Sequence, residues 1–437
     1  MTRAAIGIDF GTTNSSIARA KDTGEVELAR FPYLGDVTAA YRSLLYLEQM
    51  KERGVNALKS WSGPEGIEHY LAAEHKGRLV QSLKSFLSSR SLLTTDVFGR
   101  KHTLEELIAR ILRDLREKAS AQFGVPIAAA VVGRPVRFVG AENEDDDRYA
   151  ESRLRKAFEA AGYESVEFEY EPVAAAAYYE STLDHDELIL IGDFGGGTSD
   201  FSLVRVGPSI RRRGRTGADL LGNAGVGVAG DLFDAKLIRH LMSPALGAGT
   251  EMRSMKKRLP VPSWIYGKLE RWHHLSFLRA RDVMDLLGRI QTDAIEPEKI
   301  AALIHLIKED LGYQLHQAVQ AVKCDLSNKA AATFRFSDGM VDITAKVERR
   351  SFESWIADEL GQIESCLDSL LKTSGVQARN VDAVFLTGGT SFVPAVRTIF
   401  TKRFGEEKIR TGNQFTSVAW GLALRGAALN GAGAVRG

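Results

Sequence analysis

Apolar positions follow two different periods along the chain, and these alternate through its first part. Short apolar runs predict strands at 4–9, 15–20, 25–31 and 127–133. Apolar residues recur at helical spacing over 104–122, and Thr103 with Glu106 forms a capping-box pattern just before that stripe. A second helix is predicted from the acidic run at 144–147 to Ala161. This alternation predicts an α/β sheet with helices packed on it.

The strand-rich pattern starts again at Glu187, after an alanine-rich helix at 172–181. Further strands are predicted at 187–193, 199–206, 215–222, 331–336, 340–347 and 382–387, and further helices at 350–374, 391–404 and 415–430. Between 230 and 328 the pattern is almost wholly helical. We therefore predict lobe I at 1–185 and lobe II at 186–430, with a helical insertion at about 231–310, a closing helix at 415–430 and a flexible tail at 431–437.

Composition excludes some classes of function. The chain has 437 residues and a net charge of +1, so two or more domains are expected, and neither nucleic acid nor a membrane is an expected partner. The two cysteines lie in helical patterns without a metal-ligand spacing. No apolar stretch is long enough to span a bilayer, and no secretory leader pattern is present. A cytoplasmic protein with reduced cysteines is expected.

One short sequence motif occurs twice, at 8–14 and at 192–200. Each copy follows an apolar run, places an aspartate (Asp9 or Asp193) at the end of a strand, and turns on glycine and threonine before a second apolar run. A glycine-rich turn lets backbone N–H groups approach an anion, and a nearby carboxylate can hold a metal ion through water. Two such hairpins predict a site for a nucleotide polyphosphate.

Several motifs in order resemble the heat shock protein 70 family of the actin, sugar-kinase and heat-shock ATPase superfamily. Segments 7–15, 192–200 and 386–394 look like its first phosphate, second phosphate and adenosine motifs. Segments 171–176 and 417–423 resemble its two connecting helices, and 230–234 resembles the turn beside the phosphates. The resemblance covers residues 4–430. It implies two actin-like ATPase lobes with a duplicated, ribonuclease-H-like sheet.

The resemblance also implies a role for individual residues. Asp9 and Asp193 would hold hydrated Mg²⁺, and Glu171 and Asp200 with Asp193 would form the catalytic group that orders the attacking water. The implied contacts to ATP or ADP are Thr12, Thr13, Asn14, Gly195, Gly196, Gly197, Thr198 and Gly230 at the phosphates, and Gly388, Gly389, Thr390, Phe392, Lys323 and Ser327 at the adenosine. Pro135 would relay the nucleotide state.

The chain departs from the family pattern at a catalytic lysine. We align the helix that should carry it with 63–70, where Ile67 occupies its position. His69, Lys59 or Lys76 could substitute for it. Since loss of a positioned catalytic group costs about 10²–10⁴-fold in rate, hydrolysis is expected to be slow or absent.

The adenine pocket departs as well, with Cys324 and Phe392 in place of two arginines and Gln320 in place of a glutamate. Phe392 could stack on the base or pack into the lobe.

These patterns favour an ATP- and Mg²⁺-binding, heat-shock-like protein whose cleft closes with nucleotide. The resemblance ends before a peptide-binding domain, so a co-chaperone or client would have to recognise another surface. Aromatic residues at 264–266, 272–275 and 277–278 are expected to form a local core rather than such a surface. The alternatives are a non-hydrolysing nucleotide sensor or scaffold and a small-molecule kinase of the same superfamily.

Overall fold

The computed structural model describes residues 5–33, 35–52, 55–73, 77–255, 257–270, 275–411 and 416–434. The chain divides into two compact units. Unit 1 comprises Met1–Ala229, Gly361–Phe392 and Val396–Gly437, and unit 2 comprises Gly230–Leu360 and Val393–Ala395.

Strands and helices are numbered in chain order. The strands are β1 (Ala5–Phe10), β2 (Asn14–Ala20), β3 (Val26–Leu28), β4 (Phe31–Tyr33), β5 (Asp36–Thr38), β6 (Tyr41–Arg42), β7 (Leu44–Glu52), β8 (Val55–Ser62), β9 (Arg78–Gln81), β10 (Thr94–Val97), β11 (Arg100–Thr103), β12 (Ala129–Arg134), β13 (Ser165–Tyr170), β14 (Glu187–Phe194), β15 (Ser199–Val206), β16 (Leu220–Val226), β17 (Glu251–Ser254), β18 (Lys257–Pro260), β19 (Ala331–Asp338), β20 (Val341–Glu348), β21 (Ala383–Thr387) and β22 (Ile409–Thr411). The helices are α1 (Gly63–Ala72), α2 (Leu104–Phe123), α3 (Glu144–Ala160), α4 (Glu171–Glu180), α5 (Pro208–Arg213), α6 (Gly230–Leu237), α7 (Trp264–Leu269), α8 (Leu275–Leu278), α9 (Arg281–Asp293), α10 (Pro297–Lys308), α11 (Gly312–Asn328), α12 (Arg349–Trp355), α13 (Ala357–Ser374), α14 (Pro394–Phe404) and α15 (Ser417–Ala434).

Two sheets of unit 1 share one topology. The first has the strand order β13-β12-β1-β2-β3, with β6 also paired to β2, and the second has the order β22-β21-β14-β15-β16. In each sheet an antiparallel hairpin, β1–β2 or β14–β15, is extended by an antiparallel strand on one side. Two parallel strands extend it on the other side. The predicted α/β fold with a duplicated sheet is confirmed.

Helices α4 and α15 pack closely in unit 1 because small residues line their contact. A Cβ on Gly421 would lie only 1.8 Å from the carbonyl oxygen of Ala174. A Cβ on Gly7 of β1 would lie 2.2 Å from the backbone nitrogen of Ala423. Glycine at both positions lets the backbones approach each other. The first turn of α4, which begins at Glu171, is thereby held close to the ends of the strands.

Helix α2 follows its sequence pattern closely. The backbone N–H of Glu106 donates to Thr103 Oγ1 at 3.1 Å, and the N–H of Thr103 donates to Glu106 Oε2 at 3.0 Å, so the predicted capping box is present. Its apolar stripe, which includes Leu107, Ile108 and Ile111, is fully buried in the core of the first sheet. Helix α3 likewise begins at the predicted acidic run.

The structure differs from the predicted elements in several places. The third strand of the second sheet lies at Leu220–Val226 instead of 215–222, and the helix predicted at 350–374 is interrupted at Ile356. The sheet β8-β7-β9 and the hairpin β10–β11 were not predicted. The insertion predicted as helical contains the exposed hairpin β17–β18. Helix α15 continues to Ala434, so four residues of the predicted tail are helical, and 435–437 lie outside the described residues.

In unit 2, the aromatic insertion packs partly as expected. Ile265, Tyr266 and Leu278 are buried, whereas Trp264 is exposed. Residues 272–274 lie outside the described part of the chain. Among the described residues, no helix has both the length and the apolar composition needed to cross a membrane. The assignment of 1–185 and 186–430 as lobes stays a prediction.

Candidate functional site

The tips of the two glycine hairpins lie together in unit 1. A Cβ on Gly197 would lie 3.5 Å from Thr12 Oγ1 and 3.7 Å from Ser85 Oγ. It would also lie 2.7 Å from a side-chain carbon of Val139, which is closer than such atoms approach each other. A larger residue at this position would force Val139 to shift, and the loops 11–13 and 195–198 lie close together. The remaining predicted phosphate contacts of unit 1 belong to these loops or adjoin them: Thr13, Asn14, Gly195, Gly196 and Thr198.

The segment 388–392 adjoins the second hairpin. Gly388 has φ +83°, and a Cβ there would lie 2.1 Å from the carbonyl oxygen of Phe194, so the turn requires glycine. Thr390 Oγ1 donates to the carbonyl oxygen of Gly195 at 3.1 Å. Gly389 is exposed, and Phe392 is 53% exposed. Phe392 is therefore not packed into a core.

Four carboxylates act on one another at the ends of the two hairpins. Burial and the charge of Glu171 raise the pKa of Asp9 to about 7, although Lys84 opposes the shift. Burial raises the pKa of Asp193 well above its usual range, with further contributions from Glu171, Asp9 and Asp200. Bound positive charge near these carboxyl groups would favour their ionised form.

A lysine lies within this cluster. Lys84 Nζ donates to Glu171 Oε1 at 2.6 Å, and the two side chains are only 7% and 10% exposed. The Glu171 side chain packs against the backbone of Gly133 in β12, where a Cβ would lie only 2.9 Å from Glu171 Cγ. Lys84 lies in a short 3₁₀ helix, Leu83–Phe86, that follows Ser82 in the left-handed region at φ +53°.

The expectation that the site lacks a lysine is therefore wrong. Ile67, to which the lysine position was assigned, is fully buried in α1. His69 stacks on Trp61 with ring centroids 4.0 Å apart, Lys59 is exposed, and Lys76 lies outside the described residues. The lysine lies in the short 3₁₀ helix after β9, and not in α1, to which the family's lysine position had been aligned.

Asp200 connects the second hairpin to a turn of the first sheet. Its Oδ1 accepts hydrogen bonds from the backbone N–H groups of Val136 at 2.9 Å and Arg137 at 3.3 Å. These residues follow Pro135 in the turn after β12. Burial and the charge of Glu171 raise the pKa of Asp200 to about 7, while hydrogen bonds from Thr198 and the turn oppose the shift. The carboxylate that we assigned to water positioning is thus fixed by a segment from the other sheet.

The donor set fits a hydrated divalent cation. No three acidic, histidine or cysteine side chains among the described residues lie close enough together to bind a metal ion directly. Mg²⁺ commonly keeps several water ligands and uses few protein carboxylates. Burial and neighbouring carboxylates raise the pKa values of Asp9 and Asp193, and a hydrated cation held by these two groups through water would favour their ionised form. The assignment of Mg²⁺ stays a prediction.

Unit 2 carries the other predicted nucleotide contacts. Gly230 begins α6, and Lys323 and Ser327 lie on α11. Lys323 Nζ lies 2.7 Å from Asp234 Oδ1, and Gln320 also donates to this buried carboxylate. Burial raises the pKa of Asp234, against the effect of Lys323. Lys323 is thus held by an internal partner, and Ser327 Oγ donates to its carbonyl oxygen at 3.1 Å.

Comparison with known protein families agrees with this geometry. The family model described as Hsp70 protein matches residues 52–257 and 299–437, which is more than half of the chain. The chain belongs to the Hsp70 family. Membership supports a nucleotide-binding protein of the chaperone type with an actin-like ATPase fold. The matched segments of this Hsp70 protein include Lys84, Glu171, Asp193 and Asp200 but not residues 1–51 or 258–298.

Sequence reasoning missed Lys84 as a candidate site residue of this Hsp70 protein. The polar residue Lys84 between Leu83 and Leu87, both of which are buried, was the available signal. A charged residue flanked by core residues must either reach solvent or have a buried partner. Its partner, Glu171, is 87 positions away in the sequence.

Proposed function

We propose that this Hsp70 protein binds ATP with Mg²⁺ and hydrolyses the terminal phosphate. One observation carries the proposal: the two glycine loops converge beside a buried cluster of Asp9, Glu171, Asp193 and Asp200, and Lys84 is paired with Glu171 in that cluster. Backbone N–H groups of the loops suit phosphate oxygens, and the carboxylates suit a hydrated cation.

The chain's own residues then have separate roles. Glu171, paired with Lys84, accepts a hydrogen bond from the attacking water, and Lys84 donates to that water or to the phosphate. Asp200, fixed by two backbone N–H groups, orients the same water from the second hairpin. Mg²⁺, when bound, neutralises the charge that develops on the phosphate oxygens.

Two finer parts of the proposal go with it. In unit 1, Gly388, Gly389, Thr390 and Phe392 recognise the adenosine of ATP or ADP. Gly230, Lys323 and Ser327 are further nucleotide contacts implied by the family resemblance. Nucleotide state changes the arrangement of the lobes, and a client or co-chaperone responds to that change. The main reason to prefer a non-hydrolysing sensor was the missing lysine, and Lys84 removes that reason.

The deciding experiment is single-turnover hydrolysis of radiolabelled ATP with protein in excess and Mg²⁺ present. We expect phosphate release by the wild type and its loss in Asp193→Asn. Asp285→Asn, at an exposed aspartate of α9, is the matched control and should behave as wild type.

Equal binding and hydrolysis in Asp193→Asn would overturn the site assignment. ATP that stays bound and intact in the wild type would instead indicate a nucleotide sensor. Transfer of the labelled phosphate to an added small-molecule alcohol would indicate a kinase.

A further inference from the structure

A buried arginine lies on α3, outside the carboxylate cluster. Arg153 is only 2% exposed, although arginine is almost never fully buried unless it is paired. Its ion-pair partner is Glu105 in the first turn of α2, with Arg153 Nε 2.6 Å from Glu105 Oε1. Partial burial opposes ionisation of Glu105, but hydrogen bonds from Arg153 and the backbone outweigh it and lower the pKa of this carboxyl.

The rest of the guanidinium group is directed at one short stretch of backbone. Nη1 donates to the carbonyl oxygens of Phe86 and Leu87, both at 3.4 Å, and of Ser89 at 3.1 Å. Nη2 donates to the carbonyl oxygen of Leu92 at 3.1 Å. One side chain thus binds four carbonyl groups within seven residues, all just after Lys84.

The carbonyl oxygen of Phe86 also accepts from the backbone N–H of Ser89 at 3.1 Å, and the local structure leaves further carbonyl groups of this stretch to an external donor. The 3₁₀ helix Leu83–Phe86 is only four residues long, and the last carbonyl groups of a helix have no partner within it. Residues 87–93 form no further helix or strand. A cationic side chain at the end of a helix satisfies such carbonyl groups and interacts favourably with the helix dipole.

The same stretch is fixed on its other sides. Leu83 and Leu87, which flank Lys84, are buried in the core of the first sheet. Ser88 Oγ donates to the carbonyl oxygen of Val139 at 2.5 Å. The backbone that carries Lys84 is therefore held by apolar packing and by Arg153, and the Lys84 side chain reaches Glu171 from that fixed base.

We infer that Arg153 is a positioning residue for Lys84: by binding four carbonyl groups between residues 86 and 92 it fixes the turn that places Lys84 Nζ against Glu171. The inference rests on the proposed function only for the role of Lys84 in hydrolysis. Arginine is required because its planar group offers five donors in a fixed fork, whereas lysine offers three at one atom. Lysine at 153 would keep the charge but not all of these contacts.

The test measures the reactivity of the Lys84 amine in the nucleotide-free protein. Pulse acetylation read by peptide mass spectrometry compares wild type with Arg153→Lys, and Lys329, an exposed lysine just after α11, is the internal reference. We expect Lys84 to be acetylated about tenfold faster in Arg153→Lys, because local opening of the turn exposes it, while Lys329 is unchanged. Arg148→Lys, at an exposed arginine of the same helix, is the control and should not alter Lys84.

Single-turnover hydrolysis provides the second readout. Displacement of a catalytic group by about 1 Å costs up to about 10²-fold, so Arg153→Lys should hydrolyse ATP about 10- to 100-fold more slowly with nucleotide affinity unchanged. If Arg153→Lys does not fold, Glu105→Gln releases the guanidinium from its anchor and should raise Lys84 acetylation in the same direction.

Lys84 acetylation equal to wild type in the folded variant, with or without lower global stability in urea, would overturn the inference. Acetylation does not depend on ATP hydrolysis. A wild type that fails to hydrolyse ATP would therefore refute the proposed function and leave this test decisive.

Discussion

The two halves of unit 1 share a frame but differ in the residues placed on it. In the first hairpin, the register pairs Asp9 with Ser16, and in the second it pairs Asp193 with Asp200. The first aspartate of each hairpin is thus equivalent, whereas its cross-strand neighbour is a serine in one half and a carboxylate in the other. Duplication has preserved the geometry of the site without preserving its chemistry.

The connecting helices differ in the same way. Helix α4, after the first sheet, begins with Glu171, and that residue pairs with Lys84. Helix α15, after the second sheet, begins with Ser417, whose Oγ lies 2.9 Å from Thr387 Oγ1 in a buried hydrogen bond. The first half therefore supplies the lysine–glutamate pair and the second half supplies Asp200. A symmetric frame can hold an asymmetric reaction when each half carries different groups.

The largest effect should come from removing the pair that only the first half has. Lys84→Met should lower the single-turnover rate by about 10²–10⁴-fold, because the water or phosphate loses a positioned donor. Glu171→Gln should cost a similar factor, and the double variant little more than either single change, since the two residues act as a unit. Lys329→Met is the control at an exposed lysine. A wild-type rate for Lys84→Met would show that the two halves do not differ in this respect.

The second prediction concerns a variant, Ser16→Asp, that gives the first hairpin the cross-strand carboxylate of the second hairpin. Ser16 is 1% exposed, so Ser16→Asp introduces a buried carboxylate beside Asp9. The variant should lose about 3–5 kcal/mol in the free energy of unfolding at neutral pH, the usual cost of a buried charge without compensation. Urea unfolding measures this, with Ser16→Ala as the matched control. Stability equal to that of Ser16→Ala would mean that the first half tolerates the carboxylate of the second.

The third prediction concerns the turns after the equivalent strands β12 and β21. The first turn carries Pro135, and the second leads to Phe392. If Phe392 stacks on adenine, Phe392→Ala should weaken ADP binding by about 1–3 kcal/mol in calorimetric titration, with little change in stability. Phe98→Ala, at another exposed phenylalanine, is the control. Unchanged ADP affinity would remove Phe392 from the site.

The smallest effect on nucleotide binding is expected from pH. The pKa values of Asp9 and Asp200 are raised from 3.8 to about 7, so the folded apo protein holds protons that the unfolded chain has released. Its unfolding free energy should therefore fall as pH rises from about 4 to about 7. MgADP binding favours the ionised carboxylates, so its affinity should rise by about three- to tenfold between about pH 6.5 and about pH 7.5.

Isothermal titration calorimetry with MgADP at these two pH values tests this prediction. The MgADP affinity of Asp9→Asn should depend less on pH. An affinity that falls over this interval would contradict the raised pKa values as the source of the dependence.

Elements with a strong local signal were predicted well. The apolar stripe and capping box of α2, the acidic start of α3 and both glycine hairpins are short-range patterns, and the structure contains them. The sheet β8-β7-β9 was missed because its strands interrupt apolar positions with polar ones and pair out of chain order. The hairpin β17–β18 was missed because its side chains are mostly exposed, so its sequence does not alternate between buried apolar and exposed polar positions.

By itself the sequence determined the repeated hairpins, the connecting helices and the family resemblance, because each depends on residues close together in the chain. Only the tertiary structure decided that Lys84 pairs with Glu171, that Asp200 binds the turn after β12, and that Arg153 holds the backbone beside Lys84. These contacts join residues 87, 64 and 64 positions apart. A buried charge must find its partner wherever packing brings one, and local pattern does not specify where that is.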